Sequence, residues 1–173
     1  MAERLKPRVI VAENVKGMLM GNAKLYTKKI VKRFEEIGYD VQLFLLNAAS
    51  MGVPQKRERV FFIAHRKDLQ LPTLKLNFEE KSIPYREVKT KDGTEKEMSD
   101  LVFEYWVLKK GGKKRVGDTL KRLGMKEQRF GDNYVLDNEV CMTITSGGAY
   151  YRQNEPTTIS KTDFNLIQSF PLD

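Results

Sequence analysis

The sequence predicts an α/β chain: part of a doubly wound sheet joined to a smaller, mixed, β-rich lobe. Short apolar runs flank one long amphipathic stretch before residue 70, and that pattern gives way after Asp68 to charged turns and short apolar segments. The length of 173 residues suffices for one good core or for two unequal ones.

Val9-Ile10-Val11-Ala12, opening after Pro7, is a continuous apolar run of the kind expected for a strand buried on both faces of a parallel sheet. Glu13 and Asn14 sit at its carboxyl end. Between Asn22 and Gly38, Leu25, Ile30, Val31, Phe34 and Ile37 recur at helical spacing. Lys24, Lys28, Lys29, Lys32, Glu35 and Glu36 fill the other face, and Gly38 is a natural stop. Val41 to Leu46 reads as a second buried strand and Val60 to Ala64 as a third. The first strand, the helix and the second strand form a βαβ unit, which predicts parallel pairing and a right-handed crossover. The third strand is free to run antiparallel, because no helix is evident between Leu46 and Val60. In such sheets ligands gather at the carboxyl ends of strands, where Glu13 lies.

A lobe boundary is expected near residues 68–72, helped by Pro72. Beyond it, Val102 to Val107 suggests small strands or a brief helix, and Lys91-Asp92-Gly93 a turn. Nine Lys and Arg residues between Lys109 and Arg129 face only Asp118 and Glu127, which makes either a solvated helix face or a surface for a polyanion. Ser160 followed by Asp163 resembles a capping box opening a helix with Phe164, Ile167 and Leu166 inward, ended by Phe170-Pro171. The abrupt stop at Asp173 suggests a truncated end.

The net charge of +8 and pI near 9.5 favour a polyanionic partner, either nucleic acid or an acidic membrane surface. No apolar run approaches the roughly 20 residues that span a bilayer, and Glu3, Arg4 and Lys6 interrupt any signal-peptide core. A soluble cytoplasmic protein is expected. Cys141 and His65 are the single residues of their types, too few for a disulfide framework or a zinc site, so no metal is expected.

Two motifs carry chemistry. Gln55-Lys56-Arg57-Glu58-Arg59 sets two arginines where a loop enters an apolar run, and they are read as pointing to opposite faces, one toward a phosphate and one inward. Glu13-Asn14-Val15 lies some forty residues upstream. In that order and spacing the two resemble the DNA cytosine-5 methyltransferase family. The tail resembles the family's late motif: Glu155-Pro156-Thr157-Thr158-Ile159-Ser160, then Leu166-Ile167-Gln168-Ser169-Phe170-Pro171, with Ser169 where the family usually has Gly. The resemblance implies a partial Rossmann-like methyltransferase sheet in residues 1–69, a target-recognition region in 70–153, and a return segment with a helix against the catalytic lobe in 154–173.

In the family this chain resembles, a cysteine thiolate adds to cytosine C6, and the resulting enamine attacks the methyl group of S-adenosylmethionine. A carboxyl group bonded to N3 stabilises the charged ring, and a cation at O2 holds the flipped base. By resemblance these are Glu13 and Arg59. Arg57 is matched to a phosphate contact or to holding the loop, and Asn14 to tying the strand end to a neighbouring loop.

The target base must leave the duplex while the recognition region holds the DNA. By resemblance, Gln55, Arg57, Thr143, Thr145, Ser146, Gly147, Gly148 and Arg152 lie at the DNA backbone, with Thr143 matched to a phosphate contact. Lys113, Arg115, Arg122 and Arg129, with Lys126 and Gln128, are candidates for reading base edges. The family's glycine-rich cofactor loop and its Pro-Cys nucleophile have no match in this chain, so no cofactor-binding residue is assigned. Cys141 follows Val140 rather than Pro and reads as a buried structural thiol. The expected function is that of a methyltransferase fragment, inactive alone, acting on duplex DNA with S-adenosylmethionine and of bacterial or phage origin. Its alternatives are one subunit of a split enzyme whose partner is the missing N-terminal half, a non-catalytic DNA-binding module, and a transfer-RNA methyltransferase, against which the sizeable basic 70–150 segment argues.

Overall fold

The computed structural model describes residues 1–108, 115–122, 124 and 132–169. The chain forms two compact units: Met1–Asn47 with Glu58–Phe78, and Ala48–Arg57 with Glu79–Asp173.

The first unit opens with a short helix α1 (Ala2–Leu5) and strand β1 (Val9–Val15). Helix α2 (Ala23–Glu36) and strand β2 (Tyr39–Asn47) follow. A ten-residue excursion then contributes β3 (Gln55–Lys56) to the second unit, and β4 (Glu58–Arg66) returns to the first. The sheet order is β1-β4-β2, with β4 antiparallel to both neighbours. Val60, Phe62 and Ala64 on β4 are buried, a period-2 pattern that aims one face at α2. Phe34 of α2 packs edge-on against Tyr39, which shares that face, and buried Thr27 donates to the Met18 carbonyl at 2.6 Å. Gly38, at φ +89°, supplies the left-handed turn that leads from α2 into β2.

β1 and β2 run in the same direction but do not pair, because β4 lies between them; the α2 crossover spans an intervening antiparallel strand. Nor is β1 buried on both faces. It is an edge strand whose Val9, Val11 and Val15 are 49%, 63% and 52% exposed, and Leu43 and Leu45 on the opposite edge strand, β2, are exposed too. Val9, Val11 and Val15 lie on the face away from α2, whereas Leu43 and Leu45, opposite Phe62 and Val60, lie on the α2 face itself, which the helix covers only in part. Leu25, assigned to the inner face of α2, is also exposed.

The second unit adds α3 (Asp100–Leu108), α4 (Val116–Arg122), β5 (Asn133–Val135), β6 (Cys141–Met142), β7 (Tyr150–Arg152) and α5 (Lys161–Ile167). β3 pairs with β6 and β5 with β7, both in parallel. Successive residues of β5 and β7 enter different cores, as strand alternation requires. Val135 and Tyr150 join Tyr85, Cys141, Ile144, Ile159 and Ile167, whereas Tyr134 and Tyr151 join Met98, Val102, Val116 and Leu120. Val102 to Val107 is therefore helical, and the buried side of α4 leaves Lys121 and Arg122 on the exposed one.

The Lys91-Asp92-Gly93 turn is present, with Asp92 accepting from the Thr94 amide and hydroxyl. The capping box is complete: Ser160 accepts from the Asp163 amide at 2.9 Å, and the Asp163 carboxylate accepts from the Ser160 amide. Phe170 and Pro171 lie outside the described residues, as do Lys113, Lys126, Gln128 and Arg129. Ser169, in the position where the resemblance expects Gly, has φ +58°, a left-handed conformation that disfavours a side chain. Ser169→Gly should raise the unfolding free energy by about 0.5–1 kcal/mol in urea titrations, because relieved strain exceeds the added chain entropy.

Candidate functional site

Glu13 and Arg59 are brought together by sheet register. Arg59 is paired with Val15, so Glu13, two residues back on the same face, is its diagonal neighbour. The Arg59 Nε lies 2.7 Å from Glu13 Oε1, with the side chains 20% and 48% exposed. Arg59 Nη1 also donates to its neighbour's carbonyl, at Glu58, across 2.9 Å, leaving Nη2 without a hydrogen-bond partner among the described residues. The carboxyl and guanidinium thus form one polar pair at the end of a strand, able to grip a planar ring bearing an acceptor next to a protonatable nitrogen. Glu58 is taken by Lys16 at 2.8 Å, an ion pair that the sequence reading missed. Asn14 does not reach a neighbouring loop: its Oδ1 accepts from the adjacent Val15 amide.

Arg57 differs from Arg59 for a reason other than strand alternation, which would set residues two apart on the same face. It falls between β3 and β4, and its N–H donates to the Gln55 carbonyl at 3.0 Å. It belongs to the second unit, whereas Arg59 belongs to the first. The Arg57 guanidinium has no ion pair or hydrogen bond to a described residue. Gln55, matched to DNA, is only 1% exposed, so it anchors β3 rather than offering its amide to a backbone; its Nε2 has no partner among the described residues.

The Thr143 hydroxyl donates to the Lys56 carbonyl at 2.6 Å. The following loop is stapled by Tyr150, whose hydroxyl accepts from the Thr145 amide at 2.7 Å and also contacts the Thr145 hydroxyl. Thr145, Ser146 and Gly147 remain exposed, Gly148 is half-buried, and a side chain at Gly147 would meet nothing in this chain. Open space beside that turn is what an approaching backbone would need. Arg115 is exposed where the chain bridges to Asn133 before α4.

Arg152 is not a DNA contact. It is 1% exposed, and its guanidinium is consumed by Asp163 at 2.9 Å, Glu155 at 3.0 Å, Glu95 at 3.1 Å, the Tyr85 hydroxyl at 3.2 Å and the Thr90 carbonyl. Asp163 also accepts from the Tyr85 hydroxyl and the Thr90 amide and hydroxyl. Burial pulls an arginine toward neutrality, but the bonds to Asp163, Tyr85 and Glu155 outweigh it and raise the Arg152 pKa. Burial likewise opposes ionisation of Asp163, yet the bonds from Tyr85, Arg152 and Thr90 prevail and lower it. Lys89, 2.6 Å from Glu155, does most to hold that carboxyl down at about 2 against burial, with help from Arg152. Only the Ser160–Asp163 spacing signalled any of this network.

Cys141 is buried in the first of the two cores of the second unit, and burial pushes its thiol up to about 12. At pH 8 its thiolate population should be roughly 10³-fold below that of an ordinary cysteine. Iodoacetamide labelling followed by mass spectrometry should therefore modify it only in urea.

The C-5 cytosine-specific DNA methylase family model matches residues 1–171. Over 105 residues the chain is 44% identical to the Type II methyltransferase M.FnuDI of Fusobacterium nucleatum, covering 61% of this chain and 27% of that protein. Over 63 residues it is 51% identical to the Type II methyltransferase M.NgoFVII of Neisseria gonorrhoeae, covering 36% and 17%. The chain thus spans about a quarter or less of these relatives' lengths. Among solved structures, a DNA modification methyltransferase encoded within a prophage (E. coli) superposes with a TM-score of 0.64 at 19% identity, covering 98% of this chain and 61% of that one. A methyltransferase of Entamoeba histolytica superposes at 0.57 and 13%, covering 95% and 51%. At such identities these likenesses show the fold, the Rossmann-like methyltransferase architecture.

Proposed function

Since the chain belongs to the C-5 cytosine-specific DNA methylase family, we propose that it supplies the base-holding half of a DNA cytosine-5 methyltransferase. The observation that carries this reading is the Glu13–Arg59 pair at the end of a sheet strand. A cytosine turned out of duplex DNA offers N3 and O2 side by side. The Glu13 carboxyl can hold or return a proton at N3, while Arg59 Nη2 donates to O2. This stabilises the ring when charge develops on it and fixes its orientation. Residues 70–153 would hold the DNA, with the exposed Thr145-Ser146-Gly147 turn and Arg57, which no described residue engages, at the DNA backbone; residues 154–169, expected against the catalytic lobe, belong instead to the second unit, where Ile167 packs with Tyr85 and Cys141. The Type II names of the relatives support a bacterial restriction–modification setting.

S-adenosylmethionine supplies the methyl group in the family, but the residues present do not fit it. The turn after β1, Lys16-Gly17-Met18-Leu19, carries a single glycine and is not a glycine-rich cradle.

The unpaired edge of β1 beside Glu13 would be covered by a further strand on both the fragment and the split-enzyme readings, since such edges are normally covered. On either reading, purified residues 1–173 should transfer no labelled methyl group to DNA. They should bind duplex DNA better than transfer RNA, with an affinity that falls steeply as salt rises. Methyl transfer by the chain alone, or equal binding of transfer RNA, would contradict the proposal.

A further inference from the structure

The resemblance matches Thr143 to a phosphate contact, but its geometry indicates another task. A threonine hydroxyl has one proton, and here it goes to the Lys56 carbonyl at 2.6 Å. A phosphate oxygen needs a donor, so Thr143 cannot serve it without releasing Lys56. That bond sits where the β3–β6 ladder ends: Gln55 is paired with Cys141 and Lys56 with Met142, and Thr143 is the first residue after β6. The side chain thus extends a two-pair ladder by one bond.

What it holds is a segment already folded on itself. The Ala48 amide donates to the Arg57 carbonyl at 3.0 Å, and the Arg57 amide to the Gln55 carbonyl at 3.0 Å. Gln55 is buried below it. The peptide that follows Lys56 presents Arg57, half-buried and engaged by no described residue. A guanidinium that no described residue engages keeps its donors for water or for an anion from outside the chain.

We propose that Thr143 is a positioning residue, a latch on the Lys56 carbonyl that sets Arg57 for a DNA phosphate, and does not bind phosphate itself. This rests on the reading that the chain engages duplex DNA. Binding of a fluorescein-labelled mixed-sequence duplex to residues 1–173 would be measured across a salt series for T143V, T143S, R57A and the double variant. R57A should weaken binding and reduce the salt slope by about one. T143V should weaken binding about 3- to 10-fold, T143S should restore it, and T143V should cost nothing further in the R57A background. Equal losses from T143V in both backgrounds, or no loss in either, would overturn the latch. If the unaltered chain binds no duplex, the DNA reading fails instead. The latch is then judged by hydrogen exchange, since T143V should speed exchange in residues 48–57 about 3- to 10-fold while leaving residues 133–152 unchanged. Unaltered exchange in 48–57 would overturn it.

Discussion

Asp163→Ala is expected to destabilise the second unit by about 3–5 kcal/mol, because it strips the buried Arg152 guanidinium of its closest carboxylate. Loss of stabilisation on this scale is a large part of what a small domain possesses. The same substitution removes the capping box of α5 and leaves the Tyr85 hydroxyl and the Thr90 amide without their acceptor. Tyr85→Phe should cost less, about 1–3 kcal/mol, because it deletes two bonds, the one to Asp163 and the one from Arg152, but leaves the charge pair intact. Urea unfolding followed by Trp106 fluorescence reads both, since Trp106 packs against the second of that unit's two cores and donates to the Arg152 carbonyl.

The network also makes the second unit acid-sensitive. Asp163 and Glu155 both titrate lower when folded than unfolded. Their contribution to stability is complete above the unfolded values and is lost as pH falls through the folded ones. For Glu155 that window runs from its ordinary 4.5 down to about 2. Urea midpoints should fall steeply below pH 4.5, and the Glu155→Gln variant should show a shallower fall.

The second large effect is on chemistry. In a complete enzyme carrying this chain, Arg59→Ala should lower methyl transfer by roughly 10²–10³-fold on the proposed reading, since it removes both the donor proposed for O2 and the ion-pair partner of Glu13. Glu13→Gln keeps the shape of the side chain but loses the exchangeable carboxyl proton, so a loss of roughly 10²–10⁴-fold is expected. Neither change should unfold the chain, because both side chains lie at the rim of the sheet rather than in its core.

The elements legible in the sequence were those with local signals. α2 announced itself through Ile30, Val31, Phe34 and Gly38, and α5 through Ser160 and Asp163. The meeting of Glu13 with Arg59 was legible because both sit at motif positions on strand ends. Strand order was not, since the insertion of β4 between β1 and β2 depends on pairings far apart in the chain. Arg152 misled because the resemblance matches it to DNA together with the Thr- and Gly-containing stretch just before it, whereas its partners are scattered from Tyr85 to Asp163. Gln55 misled in the same way: a polar side chain in a loop motif looks available until the register of β3 against β6 turns it inward.

The most direct test joins residues 1–173 behind the N-terminal part of the Fusobacterium nucleatum relative and measures labelled methyl transfer to duplex DNA. Transfer by the joined protein that falls at least about 10²-fold with Glu13→Gln, while residues 1–173 alone give none, is the expected result. Undiminished transfer by the Glu13→Gln protein would contradict the assignment of the base-holding half to this chain.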